Sequence, residues 1–181
     1  MHDDSLVDAG GMIGSAKMWV MLRALPGLDL PDFLDGASMA YGTVTRLMYS
    51  QDWDALEPLV SPDMMEAMQA TMDDMGADGR RVIDIEDEDA IEVKSARLRQ
   101  VLIMEDPESE ALDRQRCHLD VHIVSSERWR LMDYHSNQAM EPFDGRVNEQ
   151  ESTWRFEGVV GAASADGEDL EGSGWTVHAI V

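Results

Sequence analysis

A short polar alternation holds residue types that bind metal ions. His118, Asp120 and His122 occupy every second position of the run from Arg116 to Ser125. In an extended strand, alternate side chains lie on one face, which places the two histidines about 13 Å apart at about 3.3 Å per residue. One metal ion binds each imidazole nitrogen at about 2 Å, so this pair cannot chelate it. We therefore predict polar residues on the wetter face of a sheet, and no metal site.

The densest run of acidic residues lies at positions 84–89. It lacks the glycine and the spaced carboxylates of a calcium-binding loop. The pattern predicts a solvated turn between strands, and a second interpretation is that it captures a basic segment of a partner. The residues expected to contact such a partner are Asp84, Glu86, Asp87, Glu88 and Asp89.

Other reactive side chains lack a recognisable catalytic arrangement. Cys117 falls on the same side of its predicted strand as Leu119 and Val121, so we expect a buried, unreactive thiol. The sequence contains no phosphate-binding glycine loop, nucleophile elbow or CxxC pair. Four residues have side chains suited to acid–base chemistry in a concave fold, although their spacing does not require it: Tyr41, Asp120, Tyr134 and His178. We predict no catalytic residue, no cofactor and no enzymatic activity.

Charge restricts the kind of partner. The 181 residues carry a formal net charge of −23. Such a chain repels nucleic-acid phosphates, and it favours a basic partner or simple solubility. No apolar run reaches the length of about 18 residues that would span a bilayer. The single cysteine excludes an internal disulfide, and the acidic N-terminus carries neither a secretory nor a basic transit signature.

Helical patterns occupy the first part of the chain. Residues 12–25 predict a short apolar helix that Pro26-Gly27 ends. Two interpretations stay open: the helix packs on its own domain, or it is a docking arm for a partner or a membrane surface, with Trp19, Met21 and Leu22 as contacts. Further helices are predicted over 31–49 and 52–60, and after Ser61. The last of these carries Met65, Met68, Met72 and Met75 at helical spacing, which favours a core stripe over a ligand surface.

Strand patterns occupy the second part. The alternations predict strands at 81–85, 91–104, 116–125, 129–134, 152–160 and 175–181, with loops at 107–113, 137–148 and 162–174. Two of these strands contain or begin at tryptophans, Trp154 and Trp175. This order predicts an α+β fold in which three N-terminal helices pack on one curved antiparallel sheet of about four to six strands. Such a sheet forms a cone with a concave inner face.

The segments that begin and end this region resemble the Tim44-like domain family. They are Pro31-Asp32-Phe33-Leu34, Ala40-Tyr41, Asp52 to Leu56, Leu59 to Pro62, Glu151 to Phe156 and Trp175 to Ile180. The resemblance covers about residues 29–181 and leaves 1–28 as an N-terminal arm. It implies an NTF2-like cone without catalytic residues.

The resemblance also implies a role at the matrix face of the mitochondrial inner membrane. We expect a non-enzymatic scaffold or accessory subunit that binds other subunits of a membrane-associated assembly, with peripheral membrane contact and no transmembrane helix. One alternative is a binder of basic amphipathic segments of the presequence type. A further alternative is a small NTF2-like enzyme, which fold analogy alone supports.

Overall fold

The computed structural model describes residues 6–8, 10, 12–23, 25, 27–85, 87, 89–104, 114–161 and 174–181. These residues form two compact units. The first unit comprises residues within 1–37, 96–122 and 153–181, and the second comprises 38–95 and 123–152.

Helices precede the strands, as the sequence predicts. Local capping explains two of the helix starts. Asp52 accepts a hydrogen bond from the Ala55 amide, and Ser61 accepts one from the Met64 amide, each at 3.2 Å. Pro62 then takes the first helical position, where its missing N–H costs nothing. The helices are α1 (Met12–Leu22), α2 (Leu30–Ser50), α3 (Trp53–Leu56), which a 3-10 turn (Glu57–Leu59) follows, and α4 (Pro62–Ala77).

The methionine stripe of α4 is shifted from its predicted position. Met64, Met68 and Met72 are buried at a spacing of four residues, whereas Met65 and Met75 are only half-buried. The predicted core role is therefore correct for Met68 and Met72, and Met64 replaces Met65. Four-residue spacing follows the 3.6-residue repeat of a helix closely enough to keep one face inward.

Among the described residues, seven strands form two sheets, where the sequence predicted one sheet of four to six strands. One sheet has the order β1-β4-β5, and the other has the order β2-β3-β6-β7. The fold class is α+β as expected, and the described residues contain four α-helices, where three were predicted to pack on the sheet. The strands are β1 (Arg80–Ile83), β2 (Ile91–Met104), β3 (Arg114–Glu127), β4 (Arg130–Asp133), β5 (Gln138–Asp144), β6 (Asn148–Gly161) and β7 (Thr176–Ile180).

Strand β5 lies where the sequence predicted a loop over residues 137–148. Its sequence contains Pro142 and does not alternate in polarity, which are features that argue against a strand. It nevertheless pairs antiparallel with β4, with Ala139 opposite Met132. The turn before it is defined by Asn137, whose φ of 54° lies in the left-handed region that asparagine tolerates.

The first unit has an apolar core on one side of its strands. The fully buried side chains there include Leu98, Cys117, Leu119, Val121, Phe156 and Val177. Trp154 in β6 pairs with Ile180 in β7, and Trp175 directly precedes β7. The two tryptophan-bearing segments are therefore neighbouring antiparallel strands, as predicted.

Aromatic packing joins the start of α2 to this pair of strands. The Phe33 ring lies edge-on to Phe156, with centroids 5.7 Å apart, and 4.6 Å from the Trp175 ring. Trp175 in turn covers Gly158, where an added Cβ would lie 2.5 Å from the indole ring. A side chain at position 158 would therefore displace the indole from Phe33.

We predict that Gly158→Ala lowers the free energy of unfolding by about 1–3 kcal/mol, since overpacking a rigid ring costs that much. Urea unfolding measures the change. Gly36→Ala in α2 is the matched control, because nothing lies within 4 Å of its added methyl group. That control should be neutral or stabilising by up to about 1 kcal/mol through helix propensity. Equal effects of the two substitutions would contradict the packing described.

Candidate functional site

An open groove lies between α1 and β2 in the first unit. Its volume is about 350 Å³, within the range of small binding sites. The lining residues are Gly14, Lys17, Met18 and Met21 of α1, together with Arg99, Gln100, Val101 and Leu102 of β2. We call this feature the α1 groove.

The α1 groove combines an apolar floor with two cations. Met18 and Val101 are buried, whereas Lys17 and Arg99 are exposed. Arg99 is positioned by a 3.4 Å hydrogen bond that its guanidinium donates to the Thr153 hydroxyl. The chain as a whole has a net charge of −23, so a groove lined by two cations differs from the acidic composition of the rest of the sequence. This chemistry suits a segment that carries both an apolar anchor and a negative charge.

The three predicted contacts in α1 have different environments. Met21 lines the α1 groove, Trp19 is half-buried, and Leu22 is buried within the first unit. Burial of Met18 and Leu22 shows that one face of α1 packs on its own unit, which was the first of the two interpretations. The opposite face presents Val20, which is 67% exposed. Lys17 and Arg99 were not among the predicted contact residues. They are 82 positions apart, and no local sequence pattern indicates that a helix residue and a strand residue at that distance lie in one groove.

The acidic turn at 84–89 belongs to the second unit. Asp84 forms an ion pair with Arg130, and Asp89 forms one with Arg128. Ile85 is buried and fixes the turn, while Asp87 is exposed. Glu86 and Glu88 lie outside the described residues. Two of the predicted partner contacts are thus already paired with arginines, Asp84 with Arg130 of β4 and Asp89 with Arg128 of the link between β3 and β4.

A buried carboxylate forms the centre of a hydrogen-bond network in the second unit. Glu127 Oε1 accepts from the Tyr41 hydroxyl at 2.5 Å and from the Ser125 hydroxyl at 3.0 Å. Its Oε2 accepts from the Trp129 indole at 2.8 Å. Glu127 is only 4% exposed, and these three donors compensate for the loss of its hydration. Tyr41 was among the predicted acid–base candidates, whereas Glu127 was not, because it ends a strand whose alternate positions 117, 119, 121 and 123 are apolar.

Aromatic rings enclose this network. Trp129 stacks on Phe143 with centroids 4.0 Å apart, and Tyr49 lies 5.0 Å from Trp129. Burial and the nearby Glu127 charge raise the pKa of Tyr49 to about 12. Burial, followed by the hydrogen bond to Glu127, raises the pKa of Tyr41 further. Both phenols therefore stay protonated at neutral pH, and Tyr41 acts as a donor.

The remaining acid–base candidates each have their own partners. Tyr134 is exposed, and the Arg81 guanidinium lies over its ring at 4.9 Å. Asp120 accepts two hydrogen bonds from Arg155, at 2.7 and 2.9 Å. His178 lies beside Glu157, with its Nδ1 atom 3.4 Å from Glu157 Oε2. Cys117 is fully buried, as predicted, and burial raises the pKa of its thiol to about 11, which keeps it from acting as a nucleophile.

The polar face of β3 differs from the prediction of a wetter surface. His118 and Asp120 are 8% and 4% exposed because side chains of β6 cover them. His118 Nε2 lies 3.0 Å from Glu157 Oε2, and His178 Nδ1 lies 3.4 Å from the same oxygen. His118 therefore meets groups on other strands of its sheet. The sequence predicted no chelate among His118, Asp120 and His122, and the structure places His118 beside Glu157 and Asp120 beside Arg155.

Comparison with known proteins identifies the family. A sequence model of the Tim44-like domain matches residues 16–180. The chain belongs to the Tim44-like domain family. The match includes most of α1, every lining residue of the α1 groove except Gly14, and strands β1 to β7. The resemblance inferred from the sequence is thereby confirmed.

Other comparisons are more distant. The chain is similar to the crystal structure of the intermembrane space region of the chloroplast protein ARC6, at 11% identity and a TM-score of 0.42. That similarity covers 86% of this chain and 97% of the other. No curated protein matches the chain. Within the described residues, no helix is both long enough and apolar enough to cross a bilayer.

We predict that Tyr41→Phe lowers the free energy of unfolding by about 1–3 kcal/mol, because Glu127 would lose a donor at a buried site. Tyr134→Phe is the matched control, since its side chain is exposed, and it should change stability by less than about 0.5 kcal/mol. Chemical unfolding monitored by tryptophan fluorescence measures both. A neutral Tyr41→Phe would contradict the network.

Alkaline pH should destabilise the protein through Tyr49, a half-buried phenol. Its pKa is raised in the folded state, so its contribution to stability is complete below about pH 10 and is lost as pH rises toward about 12. We expect the urea midpoint to fall less steeply above pH 10 in Tyr49→Phe than in the unsubstituted protein. Identical slopes for the two proteins would contradict a raised pKa of Tyr49.

Proposed function

We propose that the protein is a non-enzymatic accessory subunit that binds a partner protein of a mitochondrial, membrane-associated assembly. The observation that carries the proposal is a groove with binding chemistry on a Tim44-like domain. The domain match over residues 16–180 supports a binding role. A matrix location, peripheral to the inner membrane, is part of the same proposal.

The α1 groove is the proposed partner-binding site. Its apolar floor accepts one or two large side chains, and Lys17 and Arg99 attract a carboxylate. Ile103 and Met104 follow the groove residues of β2 and are exposed, as is Val20 in α1. An apolar anchor inside a polar rim is the arrangement that concentrates binding energy in protein interfaces. The partner segment is therefore an apolar one with acidic residues.

The enzyme alternative has less support from the side chains. Glu127 is a buried carboxylate of the kind that enzymes use as an acid or base. It already accepts hydrogen bonds from Tyr41, Ser125 and Trp129. Trp129, one of these donors, also stacks on Phe143 and lies 5.0 Å from the Tyr49 ring. A carboxylate held by three donors of its own unit serves stability better than proton transfer.

Capture of a basic segment remains the second candidate. The net charge of −23 and the exposed Asp87 favour it. The ion pairs of Asp84 and Asp89 with arginines reduce the charge available at this turn. Salt distinguishes the two candidates, because binding by steering charges weakens strongly with ionic strength, whereas an apolar anchor persists.

Charge reversal tests the proposal. We expect the original protein to migrate on native gels of mitochondrial extract as part of a larger assembly. The double variant Lys17→Glu and Arg99→Glu should release it as a free monomer, because both groove cations would repel the acidic partner. Arg146→Glu is the control: its side chain is 83% exposed and pairs with Asp144 in the second unit.

Two outcomes would contradict this proposal. One is an original protein that migrates only as a free monomer. The other is a groove variant that stays in the assembly as fully as Arg146→Glu does. If Arg146→Glu left the assembly and the groove variant did not, the binding site would lie in the second unit instead.

A further inference from the structure

We propose that His118, Glu157 and His178 bind one divalent transition-metal ion of the zinc type. The ligands would be two imidazole nitrogens and one carboxylate oxygen. This inference does not depend on the proposed function, and it departs from the prediction of no metal site. The spacing argument excluded a chelate within one strand, whereas these three residues come from three strands.

Strand order brings the three residues together. β3, β6 and β7 are successive neighbours in their sheet, and each contributes one residue. Neighbouring strands lie about 4.8 Å apart, so side chains in one row across them meet at their tips. The three candidate ligand atoms all lie within 4.8 Å of one another.

Strand alternation places His178 in this row. Val177 pairs with Phe156 and is buried on the apolar side of the sheet. The next residue, His178, therefore lies on the opposite face. The register then shifts, because Ala179 pairs with Arg155, so Ala179 also lies on the polar face.

The two oxygens of Glu157 have different roles. Both imidazoles lie next to Oε2, which is 3.0 Å from His118 Nε2 and 3.4 Å from His178 Nδ1. Oε1 lies 3.5 Å from Arg116 Nε. Arg116 holds the carboxylate in place as an outer partner, in the manner of residues that orient metal ligands.

The distances suit a metal ion without backbone movement. Ligand atoms around a tetrahedral zinc ion lie about 3.3–3.6 Å apart, given metal–ligand distances of about 2.0–2.2 Å. The two distances to Glu157 Oε2 are close to this range. The two imidazole rings stack at 4.8 Å between centroids with an interplanar angle of 27°, so their nitrogens approach by small χ rotations. His178 has the freedom for this, since 35% of its side chain is exposed.

Ligand type selects the metal class. Two neutral imidazoles with one carboxylate favour Zn²⁺, Co²⁺, Ni²⁺ or Cu²⁺ over Mg²⁺ and Ca²⁺, which require mostly oxygen ligands. Exposure of His178 leaves a fourth position for water. The bound ion would cross-link three strands, including the last one of the described chain, and so stabilise the pairing of β7 with β6.

Titration of the full-length protein with Zn²⁺ tests the site. We expect one high-affinity site by calorimetry in the presence of excess Mg²⁺, which occupies the many acidic side chains. His178→Ala should weaken binding by at least about 100-fold, since loss of an outer partner alone costs about 10- to 100-fold. Zn²⁺ should also raise the melting temperature, because the ion binds the folded protein.

A matched control separates this site from adventitious histidine binding. His135→Ala removes an exposed histidine of the second unit and should leave Zn²⁺ affinity unchanged. His178 is partly exposed, so its variant is expected to fold even if replacement of the buried His118 prevents folding. Absence of Zn²⁺ binding, or equal affinities of the His178→Ala and His135→Ala variants, would overturn the proposal. Co²⁺ gives an independent measure, because a four-coordinate ion absorbs visible light far more strongly than the hydrated ion.

Discussion

Contact between Phe33 and the last two strands is the constraint on which the first unit depends. The Phe33 ring packs against Phe156 and Trp175, and Trp175 lies over Gly158. These contacts join residues that are more than 120 positions apart in the sequence, so they oppose a large loss of chain entropy. Burial of such large rings supplies the necessary free energy. With this packing in place, β6 and β7 present one apolar and one polar face.

The two faces of these strands have separate consequences. On the apolar side, Cys117, Leu119 and Val121 are buried with the aromatic residues. On the polar side, Asp120 pairs with Arg155, and His118 and His178 meet Glu157. Buried polar groups are costly unless paired, which explains why each of these side chains has a partner across the sheet. The same pairing creates the proposed metal ligands.

Much of the fold was predictable because it depends on local patterns. Helix α2 begins beside Pro31 and carries its apolar residues at helical spacing, so its predicted bounds agree with the structure within one residue. Strand β2 has the predicted bounds. Strand β5 was missed because tertiary pairing with β4 overrides its proline and its weak alternation. The division into two sheets depends on long-range pairing that no local pattern encodes.

The candidate sites were less predictable for the same physical reason. Met21 and the acidic turn were visible as local composition, but Arg99 reaches the α1 groove from a distant strand. His118 and Glu157 are 39 residues apart, and His178 joins them from a third strand of the same sheet. Glu127 resembles an ordinary strand-end carboxylate until Tyr41 and Trp129 are placed beside it. The spacing of residues in a sequence predicts which side chains are neighbours within one helix or strand, whereas each of these sites combines side chains from different helices and strands.

The proposed function requires that a partner protein occupies the α1 groove. A photo-crosslinking amino acid placed at position 21 in mitochondria tests this requirement. The comparison places the same group at Val147, which is 66% exposed in the second unit. We expect one discrete crosslinked protein from position 21 and none from position 147. Crosslinks of equal yield from both positions, or none from position 21, would contradict it.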